Sequence, residues 1–367
     1  MSAPPPTVVA FGSCHRRELS DPRLWTSVAS LAPDLFLWTG DAVYSHADRP
    51  SDRGSVEVLR SELSLVRRDE SLGYTAFARG VRVDGTWDDH DYGRNDAGAD
   101  MGQKRERREL YLDFLGAGAD DPRRRREGLY KPLRREGLYK PLRVGRAKIV
   151  LLDTRSFREP YYVPSIGGVH WIPHASVLAA AVCYVSAGVL GLGRNHSAAV
   201  LGEEQWRWLT DELAKDDADA TVVVSSVQVL SDNPFVEGWG HFPQERRRTL
   251  RTLNGTRGLV ILSGDVHFAE IAGRGRALEV TSSGLTHSCT EAFYGFLAKV
   301  IIERYDTHRT REDMYFAGKI FGSIEFDWER MNMTVSVHDT EGKKVLGMVR
   351  KMGVSTVIDI DYLNMIP

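Results

Sequence analysis

Apolar runs recur along most of the chain and alternate with stretches of helical periodicity. Six of these runs are five to eight residues long and rich in Val, Ile, Leu and Phe. Runs of this length are typical of β-strands that are buried on both faces of a sheet. The predicted strands are residues 7–11, 34–38, 80–87, 147–152, 221–225 and 258–262.

Two of the intervening stretches have amphipathic spacing. Residues 105–114 and 201–214 are predicted helices, and Trp206, Leu209 and Leu213 lie on one face of the second. Strands that alternate with helices predict an α/β fold. The C-terminal part differs, because three further runs separated by short polar turns predict an antiparallel meander. These runs are residues 322–328, 331–338 and 344–351.

Polar residues follow every one of the six predicted strands. Because ligands bind beyond the carboxyl ends of strands in open α/β sheets, six such ends predict one convergent site. The segments concerned are Ser13-Cys14-His15, Gly40-Asp41-Ala42-Val43-Tyr44, Asp88-Asp89-His90-Asp91, Asp153-Thr154-Arg155, Ser226-Val227-Gln228 and Gly264-Asp265-Val266-His267.

The residue types in these segments indicate a metal site. Carboxylates such as Asp41 and imidazoles such as His267 are ligands for one or two divalent or trivalent ions. The phenol of Tyr44 and the thiol of Cys14 favour iron(III) or a similar Lewis acid, because such an ion deprotonates them. Two metals about 3.5–4 Å apart would bind a phosphate and generate hydroxide near neutral pH. A histidine beside the carboxylates would protonate the leaving alkoxide, so the pattern predicts hydrolysis of a phosphate ester.

Composition and missing motifs exclude several other classes. The chain of 367 residues is 42% hydrophobic and 27% charged, which is typical of a globular protein. Its net charge of -2 provides no general attraction for nucleic acid. Three cysteines do not form a disulfide framework. No G-x-G-x-x-G motif follows the first strand and no P-loop motif occurs, which disfavours dehydrogenases and P-loop enzymes.

The motifs together resemble those of the PhoD-like (alkaline phosphatase D) branch of the metallophosphatase, or calcineurin-like phosphoesterase, superfamily. They occur in that family's order over roughly residues 7–290, and the G-D-x-x-Y and W-D-D-H-D pieces are the most specific. The matching pieces are Phe11-Gly12-Ser13-Cys14, Trp38-Thr39-Gly40-Asp41-Ala42-Val43-Tyr44, Thr86-Trp87-Asp88-Asp89-His90-Asp91-Tyr92-Gly93, Asp153-Thr154-Arg155, Leu201-Gly202-Glu203-Glu204-Gln205-Trp206, Ser225-Ser226-Val227-Gln228 and Leu262-Ser263-Gly264-Asp265-Val266-His267-Phe268.

The resemblance implies a role for individual residues. It implies two metal ions, iron(III) with calcium or another divalent ion, and a bridging role for Asp41. His90 is implied to contact the phosphate or protonate the leaving group, and Arg155 to hold the phosphate or to structure Asp153. Gln228 is a further candidate ligand or supporting group. The implied metal ligands are Cys14, Asp41, Tyr44, Asp89, Asp265 and His267.

The histidines outside this set include His15, His196 and His287. His15 follows Cys14 directly, and whether it is a ligand stays open at this point. His196 and His287 are interpreted as structural residues rather than as part of the site entrance.

The resemblance also implies the architecture. The expected fold is a two-sheet β-sandwich flanked by helices (αββα), with the C-terminal antiparallel strands added to it. We expect a single domain over residues 1–367, with its core in residues 7–340. Two insertions are expected, a basic one at residues 122–146 and an apolar one at residues 166–196.

Both insertions have unusual composition. In the basic one, residues 127–134 (EGLYKPLR) are repeated as residues 136–143. A solvated surface insertion is the favoured interpretation, and binding of an anionic substrate or surface is the alternative. In the apolar one, residues 175–193 contain no charged side chain, which predicts a buried or interfacial helix, with a membrane span as the alternative.

These observations predict a metal-dependent phosphoesterase that cleaves monoesters or diesters at a dinuclear site, with a metal-bound hydroxide as nucleophile. The alternative is a non-catalytic protein of the same fold that binds metal and a phosphate ligand. The expected substrate is a small-molecule phosphate ester or a lipid headgroup, with membrane contact through residues 175–193. Because the N-terminus has no signal-peptide pattern, we expect an intracellular, cytoplasmic or membrane-adjacent protein.

Overall fold

The computed structural model describes residues 7–44, 54–134, 147–165, 167, 169, 175–215, 218–291, 295, 299–300, 302 and 308–358. The second copy of the nine-residue repeat, residues 136–143, lies outside this part of the chain.

Thirteen strands form two sheets within the described residues. The strands are β1 (Thr7–Gly12), β2 (Leu35–Thr39), β3 (Arg82–Thr86), β4 (Lys131–Arg134), β5 (Ala147–Leu151), β6 (Ala220–Val224), β7 (Leu259–Ser263), β8 (Ala269–Arg274), β9 (Ala277–Ser282), β10 (Tyr315–Phe316), β11 (Ile320–Asp327), β12 (Asn332–Asp339) and β13 (Lys344–Lys351). The first sheet has the order β13-β12-β11-β1-β2-β3, and the second has the order β10-β8-β9-β7-β6-β5-β4. The predicted two-sheet α/β fold is therefore confirmed.

Helices cover the outer faces of both sheets. They are α1 (Arg23–Ser30), α2 (Val56–Arg68), α3 (Tyr74–Gly80), α4 (Asp89–Tyr92), α5 (Lys104–Leu115), α6 (Ala175–Cys183), α7 (Glu203–Ala214) and α8 (Pro243–Leu253), and a π-helical segment, Tyr184–Val189, continues α6.

The strands are apolar on both faces because each face packs on a different core. In β2, Leu35 and Leu37 face the core between the two sheets. Phe36 and Trp38 face the opposite core, beneath helices α1, α2, α3 and α5. Burial of each such side chain contributes about 1.5–3 kcal/mol, so these alternating faces hold the four layers together.

The C-terminal meander extends the first sheet. Strands β11, β12 and β13 pair antiparallel, and β11 also pairs antiparallel with β1, placing Val9 opposite Ile324. The antiparallel strands were expected from the pattern, but their attachment to the N-terminal strand was not. The predicted third strand also begins later, at Arg82, because residues 74–80 form helix α3.

The basic stretch is less solvated than expected. Arg123 is 1% exposed and forms ion pairs with Asp84 at 2.8 Å and Asp121 at 2.9 Å. The expectation of a solvated surface insertion is therefore wrong for Arg123, because two carboxylates compensate its buried charge. Strand β4, which ends the first repeat copy, pairs antiparallel with β5 at the edge of the second sheet.

The apolar insertion forms helix α6 and the π-helical segment after it. Among the described residues, no helix combines the length and the apolar character that a membrane span requires.

Candidate metal centre

The carboxyl ends of strands from both sheets meet at one edge of the sandwich. Ser13, after β1, and Ser283, after β9, form a parallel β-bridge that joins the two sheets there. The residues of interest occupy equivalent places, each the second residue beyond its strand. They are Cys14 after β1, Asp41 after β2, Asp88 after β3, Asp153 after β5, Ser226 after β6 and Asp265 after β7.

Four aspartates form the centre of this region. Asp41, Asp88, Asp89 and Asp265 each place a carboxylate oxygen so that all four oxygens lie within 4.8 Å of one another. Three of them come from the first sheet, where the parallel register aligns Thr39 with Thr86 and so sets the two loops side by side. Asp265 comes from the second sheet. The expected ligands Asp41, Asp89 and Asp265 are thus brought together, and Asp88 joins them.

Gly40 allows the two loops to approach this closely. Its φ is +109°, and a Cβ at this position would lie 2.5 Å from the Cβ of Asp88. Any other residue here would push the loop that carries Asp41 away from Asp88.

The backbone at the centre is held in an unusual conformation. Cys14, Asp41, Asp265 and His267 all have positive φ, between 50° and 71°. Non-glycine residues rarely adopt this region, and it clusters at functional sites where the surrounding structure compensates the strain. The strain therefore marks the same residues that the motifs indicate.

Burial and mutual repulsion determine the electrostatics of the cluster. Burial, together with the neighbouring carboxylates, raises the pKa of Asp41 and of Asp265 well above the usual range. Burial also raises the pKa of Asp88 to about 7, although the Arg155 guanidinium acts in the opposite direction. Without a cation, the cluster therefore takes up protons to limit its negative charge.

Cys14, Tyr44 and His267 surround the Asp41 carboxylate. The Cys14 thiol lies 3.6 Å from Oδ2 of Asp41, and the Tyr44 hydroxyl donates to the same oxygen at 3.1 Å. The Tyr44 hydroxyl is also 3.2 Å from Nε2 of His267. Burial raises the pKa of Cys14 and of Tyr44, so both keep their protons unless a cation replaces them.

His90 lies beside both Asp41 and Tyr44. Its backbone N–H donates to Oδ1 of Asp41 at 3.3 Å, and its ring centroid is 4.2 Å from that of Tyr44. A side-chain nitrogen of His90 lies within 4.8 Å of carboxylate oxygens of Asp41 and Asp89. This position suits either a ligand or a group that contacts the substrate.

The short helix α4 orients His90 and the aspartates around it. The side chain of Asp88 and that of Asp91 form a reciprocal capping box at its N-terminus. Asp91 also accepts a hydrogen bond from the Val43 N–H at 3.0 Å, which ties α4 to the loop after β2.

Arg155 is buried among carboxylates. Its guanidinium pairs with Asp88 at 2.5 Å and with Glu237 at 2.7 Å. It contacts Asp153 through the backbone, since the Arg155 N–H donates to the Asp153 carboxylate at 3.0 Å. The side chain therefore holds Asp88 in place.

Two other motif residues have supporting positions. Both ring nitrogens of His15 are occupied, Nδ1 by the Ala42 carbonyl and Nε2 by the Ser20 hydroxyl, and the ring packs on Trp25 and Trp38. Gln228 donates to Glu270 and Thr281 in the second sheet. The structure therefore places His15 in the packing behind the site.

The structure adds residues that the motifs did not single out. His287, interpreted from sequence as structural, has its ring centroid 4.4 Å from that of His267, and its buried Nε2 has no hydrogen-bond partner among the described residues. The Arg16 guanidinium lies over the Tyr44 ring at 5.0 Å. The sequence could have indicated Arg16, because this residue directly follows the motif Ser13-Cys14-His15. His287 has no comparable signal, because it follows β9, which was not predicted.

The oxygens of the cluster fit a hard metal cation. Oδ2 of Asp88 and Oδ1 of Asp89 are buried and have no hydrogen-bond partner among the described residues. A buried carboxylate oxygen without a partner is costly, and a bound cation would remove that cost. The acidic cluster is therefore chemically suited to hold metal.

Comparison with known proteins bears on the family and the fold. The PhoD-like phosphatase family model matches residues 9–337. The solved structure of PhoD aligns with a TM-score of 0.65 at 17% identity, over 98% of this chain and 73% of that one. GAP50, the anchor in the inner membrane complex of Plasmodium, aligns with a TM-score of 0.55 at 11% identity, over 99% of this chain and 94% of that one. No curated protein sequence matches the chain. With its motifs converging on one buried aspartate cluster and nearly its whole length matched, the chain belongs to the PhoD-like phosphatase family.

Proposed function

We propose that this hydrolase of phosphoester bonds cleaves phosphate monoesters or diesters at a dinuclear metal site. The observation that carries the proposal is the cluster of four aspartates whose carboxylate oxygens lie within 4.8 Å of one another. Buried carboxylates at this density need compensating positive charge, and a pair of metal ions would supply it.

The metal-binding residues would come from both sheets. Asp41 is central, because it contacts Cys14, Tyr44 and the His90 backbone through its two oxygens. Thiol and phenol donors favour iron(III), and carboxylates alone favour calcium or another divalent ion. When bound, the two ions would supply Lewis acidity and a hydroxide nucleophile. The proposed ligands are Cys14, Asp41, Tyr44, Asp88, Asp89, Asp265 and His267.

The remaining side chains would bind substrate and move a proton. His90 would protonate the leaving alkoxide from its place beside Asp41 and Asp89. Burial lowers the pKa of His90, and the neighbouring Asp89 carboxylate acts against that effect by stabilising the protonated imidazolium. The partly exposed Arg16 would bind a phosphate oxygen from the Tyr44 side. Arg155 would act as a positioning residue for Asp88, because its guanidinium already pairs with Asp88 and Glu237.

Hydrolysis assays with an Asp41 variant test the proposal. Purified protein would be supplied with iron and calcium and assayed with 4-nitrophenyl phosphate and bis(4-nitrophenyl) phosphate. We expect Asp41→Ala to lose activity by about 100-fold or more, together with bound metal, because several ligands converge on its carboxylate. Asp313→Ala is the matched control, since Asp313 is exposed and pairs with its neighbour Arg311 on the surface.

The outcome separates two kinds of protein. Equal activity in wild type and Asp41→Ala would contradict the proposed site. Metal binding that depends on Asp41 without turnover of either ester would favour the alternative, a protein that binds metal and a phosphate ligand without catalysis.

A further inference from the structure

Helix α6 and the π-helical segment after it carry apolar side chains on the surface that faces solvent. Val177, Leu178, Val185 and Val189 are 36%, 47%, 50% and 60% exposed. The positions 178, 181, 185 and 189 recur every three or four residues, which places them along one face. A surface helix normally carries polar residues on this face. We use the term apolar stripe for the six exposed side chains of Val177, Leu178, Val185, Val189, Leu190 and Leu192.

The stripe is concentrated in one part of the molecule. Thirteen large apolar side chains are strongly exposed within the described residues, and six of them lie between residues 177 and 192. Residues 175–193 contain no Asp, Glu, Lys or Arg, although 27% of the chain is charged. Scattered exposed apolar residues are ordinary, whereas a contiguous group marks an interaction surface.

The inner face of the same helix forms a wall of the catalytic cavity. The cavity has a volume of about 140 Å³ and contains the side chains of Asp89 and Asp265. Tyr184 extends this wall by stacking on Phe235, with ring centroids 4.1 Å apart. The apolar wall of the cavity consists of Ala179, Ala180, Cys183, Phe235 and Val236. The rest of the lining is polar and includes Asp96, Glu237 and His241, so an ester bound at the aspartates would meet apolar side chains only on the side of the cavity that this wall forms.

The residues that flank the stripe are amphipathic. Tyr162 is 57% exposed and packs against the backbone at Gly193, where a Cβ would lie 2.9 Å from the Tyr162 Cβ. Arg194 is exposed immediately beyond the stripe. Tyrosine and arginine are favoured at the boundary between lipid tails and headgroups, where one end is apolar and the other polar.

We propose that the apolar stripe docks on a lipid surface and that the enzyme cleaves phosphate esters in the headgroups of that surface. The proposal rests on the proposed phosphoesterase function and specifies its substrate class. A helix with its side chains is about 10 Å across, so a surface that holds the stripe lies within reach of the aspartates on the helix's other side.

A lipid surface fits the stripe better than a second copy of the chain or another protein. Protein interfaces are usually anchored by Trp, Tyr or Arg within a core that a polar rim surrounds. The stripe is aliphatic along its whole length, and it has its tyrosine and arginine at one end. Its position on the wall of the cavity also means that whatever covers it must leave the site open to substrate.

Vesicle binding and two assays test the proposal. The probes are vesicles of phosphatidylcholine with and without phosphatidic acid, whose headgroup is a phosphate monoester. Wild type is compared with the double variant Val185→Glu/Val189→Glu in vesicle flotation, phosphate release from the vesicles, and hydrolysis of soluble 4-nitrophenyl phosphate. Val349→Glu is the matched control, because Val349 is 59% exposed on β13, outside the stripe.

We expect vesicle binding and phosphate release to be about tenfold or more lower in the double variant, because each substitution replaces an apolar side chain that contacts lipid with a charged one. Its hydrolysis of the soluble ester should remain within about twofold of wild type, because the substituted side chains face away from the cavity. Thermal unfolding at the wild-type temperature would show that the variant is folded.

Several results would overturn the proposal. The first is failure of the wild type to bind vesicles, and the second is equal vesicle binding by wild type and the double variant. The third is a wild-type protein that is a dimer in solution and becomes a monomer in the double variant, which would show that a second copy covers the stripe. Absence of soluble-ester hydrolysis in wild type would instead contradict the proposed function, and vesicle flotation would still report on docking.

Discussion

At the scale of single residues, His90 illustrates how one side chain can serve two roles. It lies near enough to Asp41 and Asp89 to bind metal with them. Its ring also packs against that of Tyr44, with centroids 4.2 Å apart, at the edge of the aspartate cluster, where a leaving group would depart. The two roles have different consequences when the imidazole is removed.

We predict that His90→Ala reduces turnover by about 10²–10⁴-fold without reducing bound metal, because the variant loses a general acid. The loss should be larger for an alkyl phosphate than for 4-nitrophenyl phosphate, since nitrophenolate leaves without needing a proton. Turnover with both esters and metal content by mass spectrometry are the measurements. Equal losses on both esters, together with a loss of metal, would show that His90 is a ligand. His196→Ala serves as the control, because the ring of His196 is hydrogen-bonded to the Pro160 carbonyl.

At the scale of secondary-structure elements, the site depends on how loops after parallel strands are held. In six loops a residue of the site is the second one beyond its strand, as Asp41 and Asp88 are, so the register of the sheet sets the spacing between loops. Arg155, in the loop after β5, is paired with Asp88 in the loop after β3 and with Glu237 in the segment after β6, so it fixes these three segments to one another. Asp153 completes the arrangement by accepting hydrogen bonds from Trp87 and Leu129.

We predict that Arg155→Met lowers the free energy of unfolding by about 3–5 kcal/mol, because it leaves the buried Asp88 carboxylate without its cation and removes one of the two arginines that pair with Glu237. Arg23→Met should change it by no more than about 0.5 kcal/mol, since Arg23 is 85% exposed and its ion pair with Asp21 is a surface pair. Urea unfolding of metal-free protein measures both. Similar small effects of the two substitutions would contradict the positioning role of Arg155.

At the scale of the whole molecule, the aspartate cluster spans the junction of the two sheets. Asp41, Asp88 and Asp89 belong to the first sheet and Asp265 to the second. Metal bound among them would join the sheets, in addition to the β-bridge between Ser13 and Ser283. Metal binding and the stability of the entire fold should therefore be coupled.

We predict that removing metal with a chelator lowers the melting temperature by roughly 3–4 °C, which corresponds to metal present at about 100 times its Kd. Asp41→Ala should melt at the same temperature with and without chelator, because it has lost the shared ligand. Differential scanning calorimetry at several metal concentrations measures the shift. A chelator effect of equal size in the Asp41 variant would place the bound metal elsewhere.

Much of the site could be predicted from local sequence. Asp41, Asp89 and Asp265 each follow an apolar run, and the structure brings them within one cluster. Asp88 was not chosen as a ligand from sequence, although it occupies the same place after its strand as Asp41 does. The choice between Asp88 and Asp89 depends on the exact end of β3, and the pattern alone located the strands only to within one or two residues.

What the sequence alone determined about this protein is local: the buried strands, the two amphipathic helices, the motifs at the strand ends and the family they resemble. Periodicity and loop chemistry depend on near neighbours, so a single chain shows them directly. Only the tertiary structure decided that β11 pairs with β1, that Arg123 is buried, and that His287 and Arg16 lie beside Tyr44 and His267. These contacts join residues far apart in the chain, and the free energy of packing the whole molecule selects them. No local sequence pattern encodes that free energy.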